Sequence, residues 1–183
     1  DFHWHENGSS NNNCAENFHG PKAFSEKESQ ISRDVLHELK ENCKFFLTLH
    51  SYGNYLLYPW GYTEALPNNW EDQDEVAQAG AKAMKESTGI EYTVGSTAKT
   101  LYAASGKIFQ HKINLFIPSV VILGSSIDYA HSEAQIPISI VMELGGGGWF
   151  GFDLPASEIE KNVKESADGI FAMSKVIANK FKP

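Results

Sequence analysis

Cysteine is scarce in this sequence: 183 residues hold two, Cys14 and Cys43. Two thiols make no disulfide framework, and nothing has metal-thiolate spacing. The pair leaves three readings open: one bridge, two free thiols, or one half of a bridge to a cysteine elsewhere. Long apolar runs are missing too. No stretch of about 20 apolar residues occurs, so no helix of that kind spans a bilayer. Basic residues are outnumbered, 15 Lys and Arg against 23 Asp and Glu, for a formal charge of -8. That balance argues against nucleic acid and anionic membrane surfaces as partners. No Gly-x-Ser-x-Gly elbow occurs, so a serine hydrolase would lack its nucleophile. No Gly-Lys-Ser/Thr follows the run Gly145 to Gly148, which discounts a phosphate loop. There is neither an initiating Met nor a secretory leader, and this says little about compartment.

What is present suffices for one good-sized domain with a real core, ordinary in its 42% hydrophobic and 21% charged content. Its organising stretch is Lys44 to Tyr55, opening with the run Lys44 to His50. A short apolar run without alternation, followed by Gly53, Pro59 and Gly61, reads as a strand buried on both faces. Ligands of open α/β sheets bind beyond the C-terminal ends of such strands. His50 stands at that end, with Ser51 and Tyr52 beside it; the plain alternative is a core histidine bonded to backbone. A second buried strand spans Ile136 to Leu144 and ends in an acid, Glu143, which in a plain reading caps a backbone turn.

Around these two strands the rest is read as follows. Residues 1–23 form a polar surface loop, in which His3, His5 and Glu6 have no rigid element to hold a metal. Ser25 and Glu28 make a capping box for an amphipathic helix carrying Ile31, Val35 and Leu39 and ending near Asn42. Residues 51–69 form an aromatic loop (Tyr52, Tyr55, Tyr58, Trp60, Tyr62) expected to wall a pocket. A helix starts at Asn69, shows Val76, Ala79, Ala83 and Met84 on one face, and stops at Gly89. A short strand follows at Glu91 to Val94, and Ser96 caps a brief helix through Tyr102. Ser157 and Glu160 form a second capping box, opening a long helix with Ile159, Val163, Ile170, Met173 and Ile177 as its core stripe.

Several of these segments together resemble the zinc metallocarboxypeptidases of the pancreatic carboxypeptidase A and B type. Cys14-Ala15-Glu16-Asn17-Phe18-His19-Gly20 is similar to that family's Cys-Ser-Glu-Thr-(Tyr/Phe)-x-Gly. His50-Ser51-Tyr52 looks like its third zinc ligand and neighbours, and Leu57 to Tyr62 like its next loop. Tyr102-Ala103-Ala104-Ser105-Gly106 resembles the stretch of the substrate-capping tyrosine, and Ser126 to Tyr129 the floor of the specificity pocket. Glu143-Leu144, then Gly151 to Ser157, resemble the segment of the catalytic glutamate. The likeness covers nearly the whole chain, in order.

The resemblance implies an α/β fold, a mixed eight-stranded sheet with helices on both faces. Residues 1–183 would be its C-terminal part. It implies a Zn2+ cofactor that lowers the pKa of a water and polarises a scissile carbonyl. His50 would be the metal ligand and Glu143 the catalytic proton carrier, in removal of one residue from peptide or protein C-termini. Substrate-binding residues would be Tyr102, Tyr52, Ser51, Ile127, Leu57, Thr97, Ala104 and Val141. Ile127 stands where basic-specific relatives carry an aspartate, so an apolar or aromatic preference is expected. A secreted monomer is expected, with Cys14 pairing upstream and not with Cys43.

Three departures accompany the likeness. The family's His-x-x-Glu ligand pair, its carbonyl-polarising arginine and its Asn-Arg carboxylate clamp have no counterpart in this sequence, so one zinc ligand and a silent fragment are expected. Residues 107–124 interrupt a junction that the family makes almost directly, Ser105-Gly106 to Ser125-Ser126-Ile127. Their shifted composition, and a Gly106-Lys107 junction able to encode a splice donor, point to a retained intron; the alternative is a genuine family-specific loop. Gly145 to Gly148 replace a more charged turn.

Overall fold

A computed structural model describes residues 10–15, 18–101, 125–147 and 151–182. The insert at 107–124, the residues Tyr102 and Ala104, and the histidines His3 and His5 lie outside the described residues. Four strands form one sheet in the order β1-β4-β2-β3: β1 (Phe45–Ser51), β2 (Tyr55–Tyr58), β3 (Thr93–Ser96) and β4 (Ile138–Leu144). β1 runs parallel to β4, β2 antiparallel to β4, and β3 parallel to β2. The helices are α1 (Lys27–Leu39), α2 (Trp70–Thr88), α3 (Ser126–Ser132) and α4 (Ile159–Lys180). The mixed sheet expected from the sequence is therefore present, with four strands among the described residues.

Side chains alternate across the pleat, and the core follows that alternation. Phe45, Leu47, Leu56, Tyr58, Ile138, Ile140, Met142 and Leu144 join one cluster with Val76, Met84, Met173 and Ile177 of α2 and α4. The opposite face carries Phe46, packed in a smaller cluster with Leu36, Cys43, Ala130, Ala134 and Ile136. Helices thus cover both faces. α2 and α4 approach closely at two glycines: a Cβ on Gly80 would meet Met173 Cγ at 2.8 Å, and one on Gly169 would meet Met84 Cγ at 2.7 Å. Lys180 clamps the far end, reaching Asp72 at 2.5 Å and Glu75 at 2.8 Å.

Several local expectations need correction. Neither capping box forms. Ser25 spends its hydroxyl on Glu26 Oε1, and the Gln30 amide instead holds the Phe24 carbonyl at 2.8 Å, so α1 begins at Lys27 and ends at Leu39. Ser157 lies inside a 3₁₀ turn, Ala156–Glu158, that runs into α4 after Pro155, past the capping position. Ser96 Oγ is buried without a partner, so it caps nothing, although residues 97–101 are helical. The aromatic stretch 51–69 is not all loop, because β2 lies within it. The strand expected at Glu91 to Val94 is β3, two residues later. On α2 the buried residues are Gln73, Val76, Ala77, Gly80, Ala81 and Met84, with Ala79 and Ala83 at the margin. On α4, Ile159 and Val163 are exposed, and Glu165 and Gly169 take the inner face. Asn69 and Gly89 do bound α2, the glycine in the left-handed region at φ +79°.

β1 departs furthest from expectation. It is half-buried, with Leu49 and His50 exposed, rather than buried on both faces. It pairs with β4 on one side, and among the described residues no strand pairs with its other side. α1 has no buried residue, and Ile31, Val35 and Leu39 face solvent.

Candidate active site

The parallel pairing of β1 with β4 sets His50 opposite Glu143. Because Met142 and Leu144 point into the α2/α4 core, Glu143 points the other way, and the register carries His50 to the same face. Both lie at the C-terminal ends of their strands. His50 Nδ1 stands 3.0 Å from Glu143 Oε2. An ionised carboxylate only accepts, so Nδ1 carries the shared proton and Nε2 is turned away from the pair. The histidine side chain is 66% exposed and the glutamate 17%. Neither plain alternative holds: His50 is no core histidine, and Glu143 bonds a side chain rather than capping a turn.

Beyond β1 the chain turns through a cis Ser51–Tyr52 peptide. Ser51 is half-buried and Tyr52 is 48% exposed. Tyr52 meets Phe152 edge-on, ring centroids 5.0 Å apart at 85°, and Phe152 is itself 70% exposed. Two open aromatic rings therefore stand together, one on the loop that leaves the histidine and one on the segment that follows β4. The end of β4 is tied to that loop, the Gly53 amide donating to the Leu144 carbonyl at 3.0 Å.

One pair further into the sheet, Val141 lies opposite Leu57, on the same face as Glu143. Leu57 is buried and Val141 half-buried. Thr97 is buried, and its hydroxyl donates to the Tyr58 carbonyl at 3.0 Å, which leaves its methyl as the free group. Ile127 is fully buried on α3, which packs against β4 and β1. The neighbouring carboxylate, Asp128, is also fully buried, and both of its oxygens accept from the Gly61 amide, at 3.1 and 2.9 Å. His131 closes the same corner. Its ring lies against Trp60, Nδ1 stands 3.0 Å from the Ile136 carbonyl, and burial holds its pKa below the usual histidine range. Of the aromatic residues expected to wall a pocket, Tyr52 faces the open. Tyr58 turns into the core instead, where its hydroxyl donates to Asp74 at 3.2 Å.

Two residues of the site were missed at the sequence level. Phe152 was read only as part of a motif, and its pairing with Tyr52 spans a long separation that no local pattern reports. Asp128 was read as a neighbour of Ile127; an acid beside an isoleucine in a short helix carries no sign of the Gly61 amide it binds.

A catalytic zinc site takes three protein ligands. Among the described residues no three His, Cys, Asp or Glu side chains converge. His50 and Glu143 alone do not make such a set. Both cysteines are free, Cys14 exposed and Cys43 directed at the Phe45 carbonyl, as expected for a pair not bonded to each other.

Comparison with known proteins bears on these same elements. Carboxypeptidase B of Astacus astacus is 35% identical over 178 residues, covering 97% of this chain and 52% of that protein. A zinc carboxypeptidase of Simulium vittatum is 35% identical over 175 residues, covering 95% and 52%. The chain spans about half the length of these relatives. Carboxypeptidase A from Helicoverpa armigera superposes with a TM-score of 0.81 at 29% identity, over 100% of this chain and 41% of that one. Bovine thrombin-activatable fibrinolysis inhibitor, solved with a tick carboxypeptidase inhibitor, gives 0.82 at 25% identity, over 97% and 54%. The zinc carboxypeptidase profile itself matches residues 1–169, a span that takes in the whole sheet and both candidate residues at its strand ends; the chain belongs to the zinc carboxypeptidase family.

Proposed function

We propose that this chain is the C-terminal portion of a secreted, monomeric, zinc-dependent exopeptidase that removes single residues from peptide and protein C-termini. The observation that carries this reading is the His50–Glu143 pair, in register on parallel strands and 3.0 Å apart at their C-terminal ends. Glu143 is the group that takes a proton from the attacking water and passes it to the leaving amine. Such a base must stand within hydrogen-bond reach of the proton it moves, and a strand end opening on solvent gives that access. His50 is the residue this chain offers to zinc. Ser51, the Tyr52–Phe152 ledge and Tyr102 belong to the substrate side.

The preference we propose is for apolar or aromatic C-terminal residues. Ile127 is the floor, with Leu57, Thr97, Ala104 and Val141 as walls. An ammonium set against such a floor would be left unpaired, at a cost of several kcal/mol. Asp128, beside Ile127, is occupied by the Gly61 amide.

A second reading is favoured by the lack of a three-ligand set among the described residues. By itself this chain is inactive, and at most it binds peptide C-termini. One experiment separates the two. The 183-residue chain, and the same chain joined to an upstream half from a relative, are loaded with zinc and given peptides ending in Phe or Lys. We expect release of Phe by the joined protein and no release by the chain alone. Faster release of Lys would overturn the preference, and release by the chain alone would overturn the second reading.

A further inference from the structure

The glycine turn after Glu143 packs unevenly. A Cβ on Gly146 would meet Tyr52 Cβ at 2.7 Å, and one on Gly147 would meet Pro155 Cδ at 2.8 Å. Gly147 is also held by its backbone, its amide donating to the Gly151 carbonyl at 3.0 Å. Gly145 differs. A Cβ there would meet two side-chain amides, Asn162 Nδ2 at 3.1 Å and Asn54 Oδ1 at 3.5 Å. Both amides line a cavity of about 320 Å³, together with Gly145, Glu158, Lys161 and Glu165.

The inner wall of this cavity is negative. Glu165 reaches it from α4 and is fully buried. Among the described residues it makes no ion pair. Its partners are two hydroxyls: Tyr92 donates to Oε1 at 2.9 Å and Thr88 to Oε2 at 2.7 Å. An ionised carboxylate offers about four acceptor positions, so two stay open. A buried charge without a counter-charge is costly. Asn54 Oδ1 is a second buried acceptor and has no hydrogen-bond partner among the described residues. It stands just before β2, where the Asn54 carbonyl accepts the Thr93 amide at 2.9 Å. At the mouth, Glu158 and Lys161 are both exposed and offset each other. The first turn of α4 borders the cavity and brings a partial positive charge of about half a unit; the desolvated Glu165 carboxylate outweighs it. The cavity therefore suits a ligand that carries donors and positive charge. A metal ion suits it poorly. Among the described residues no three His, Cys, Asp or Glu side chains converge, and calcium takes about six to eight oxygens. The volume is near the lower end for ligand pockets, so the group it takes is small.

We propose that the cavity beside Gly145 is a binding site for a small organic cation bearing a guanidinium group, held by Glu165 and Asn54 Oδ1. The site lies on the α4 side of the sheet, away from the face that carries Glu143, and it stands without the carboxypeptidase reading.

The probe is methylguanidine hydrochloride, titrated into the 183-residue chain and followed by the NMR shifts of the Asn54 and Asn162 side-chain amides. Sodium acetate at equal ionic strength is the anion control. A saturable shift is expected with Kd on the order of 1 mM, reasonable for so few atoms. Glu165→Gln keeps the shape and removes the charge, and should weaken binding about tenfold or more. Lys161→Ala removes a like charge from the mouth and should bind as well or better. Gly145→Arg supplies the guanidinium from the chain itself, at a position whose φ lies outside the left-handed region. It should abolish methylguanidine binding and raise the urea midpoint, and the rise should vanish when Glu165→Gln is added. No saturable shift up to about 50 mM, far above the expected Kd, would overturn the proposal. So would equal binding by Glu165→Gln, or acetate binding that Lys161→Ala abolishes. If Glu165→Gln does not fold, Gly145→Arg decides alone: methylguanidine binding that survives this substitution would overturn the site.

Discussion

Met142 and Glu143 are neighbours on one strand, and they belong to different regions of the molecule. Met142 faces α2 and α4 and is fully buried among Leu56, Ile140 and Met173. Glu143 faces the other side, where His50 on β1 is open to solvent and α1 has no fully buried residue. The first face is a finished core. The second is a site on a partly covered face, and its residues hold positions that serve chemistry rather than cohesion. Side-chain alternation across the sheet separates the two roles within 3.4 Å of rise, roughly one residue of strand.

The largest effect that would sharpen this contrast is on activity. In the joined, zinc-loaded protein, Glu143→Gln should lower kcat by about 10² to 10⁴, the range for a lost general base. Its stability should move by less than about 1 kcal/mol, since the His50 partner is mostly in water. A kcat within tenfold of wild type would remove Glu143 from the role proposed for it. One residue earlier, Met142→Ala should do the reverse. It should cost about 2 to 5 kcal/mol in urea unfolding, the usual loss for a large-to-small change in a core. On α1 the matching truncation, Val35→Ala, should stay within about 0.5 kcal/mol. A Val35→Ala cost comparable to that of Met142→Ala would break the comparison.

A smaller effect concerns pH. Burial, and then Asp74, push the Tyr58 phenol up to about 12 from its ordinary 10.0. The folded state therefore holds this proton more tightly than the unfolded chain does. The associated stability is complete below about pH 10 and is lost as pH rises toward 12, by an amount on the order of 2 kcal/mol. Unfolding titrations between pH 8 and 12 should show that fall in the wild type and a shallower one in Tyr58→Phe. Equal slopes would contradict it. The smallest effect is expected from deleting residues 107–124 and joining Gly106 to Ser125. If the segment is foreign to the fold, the urea midpoint should stay level or rise. Loop closure of that length costs only a few kcal/mol at most. A lowered midpoint, or a mature transcript that retains these codons, would argue for a genuine loop.

Much of this was legible in the sequence. The run Phe45 to Leu49 and the run Ile138 to Leu144 are apolar enough to announce strands, and each ends in a residue able to do chemistry. Asn69 and Gly89 bound a helix because the preference of glycine for the left-handed region is local. The capping boxes were less legible. Ser25 and Ser157 have the right neighbours in sequence, but the turns before them decide where each hydroxyl points. β2 was hidden because Tyr55-Leu56-Leu57-Tyr58 reads equally as an aromatic loop until β4 is found beside it.

Sequence by itself determined most of the elements, the family, and the two candidate residues at the strand ends. Those properties depend on residue type and on short-range order along the chain. Tertiary structure alone decided the register that brings His50 to within 3.0 Å of Glu143. It also decided the pairing of Tyr52 with Phe152, the capture of the Gly61 amide by Asp128, and the burial of Glu165 against the Thr88 and Tyr92 hydroxyls. Each of those joins residues far apart in sequence. Such contacts form only when the sheet and helices pack, and no local pattern encodes them.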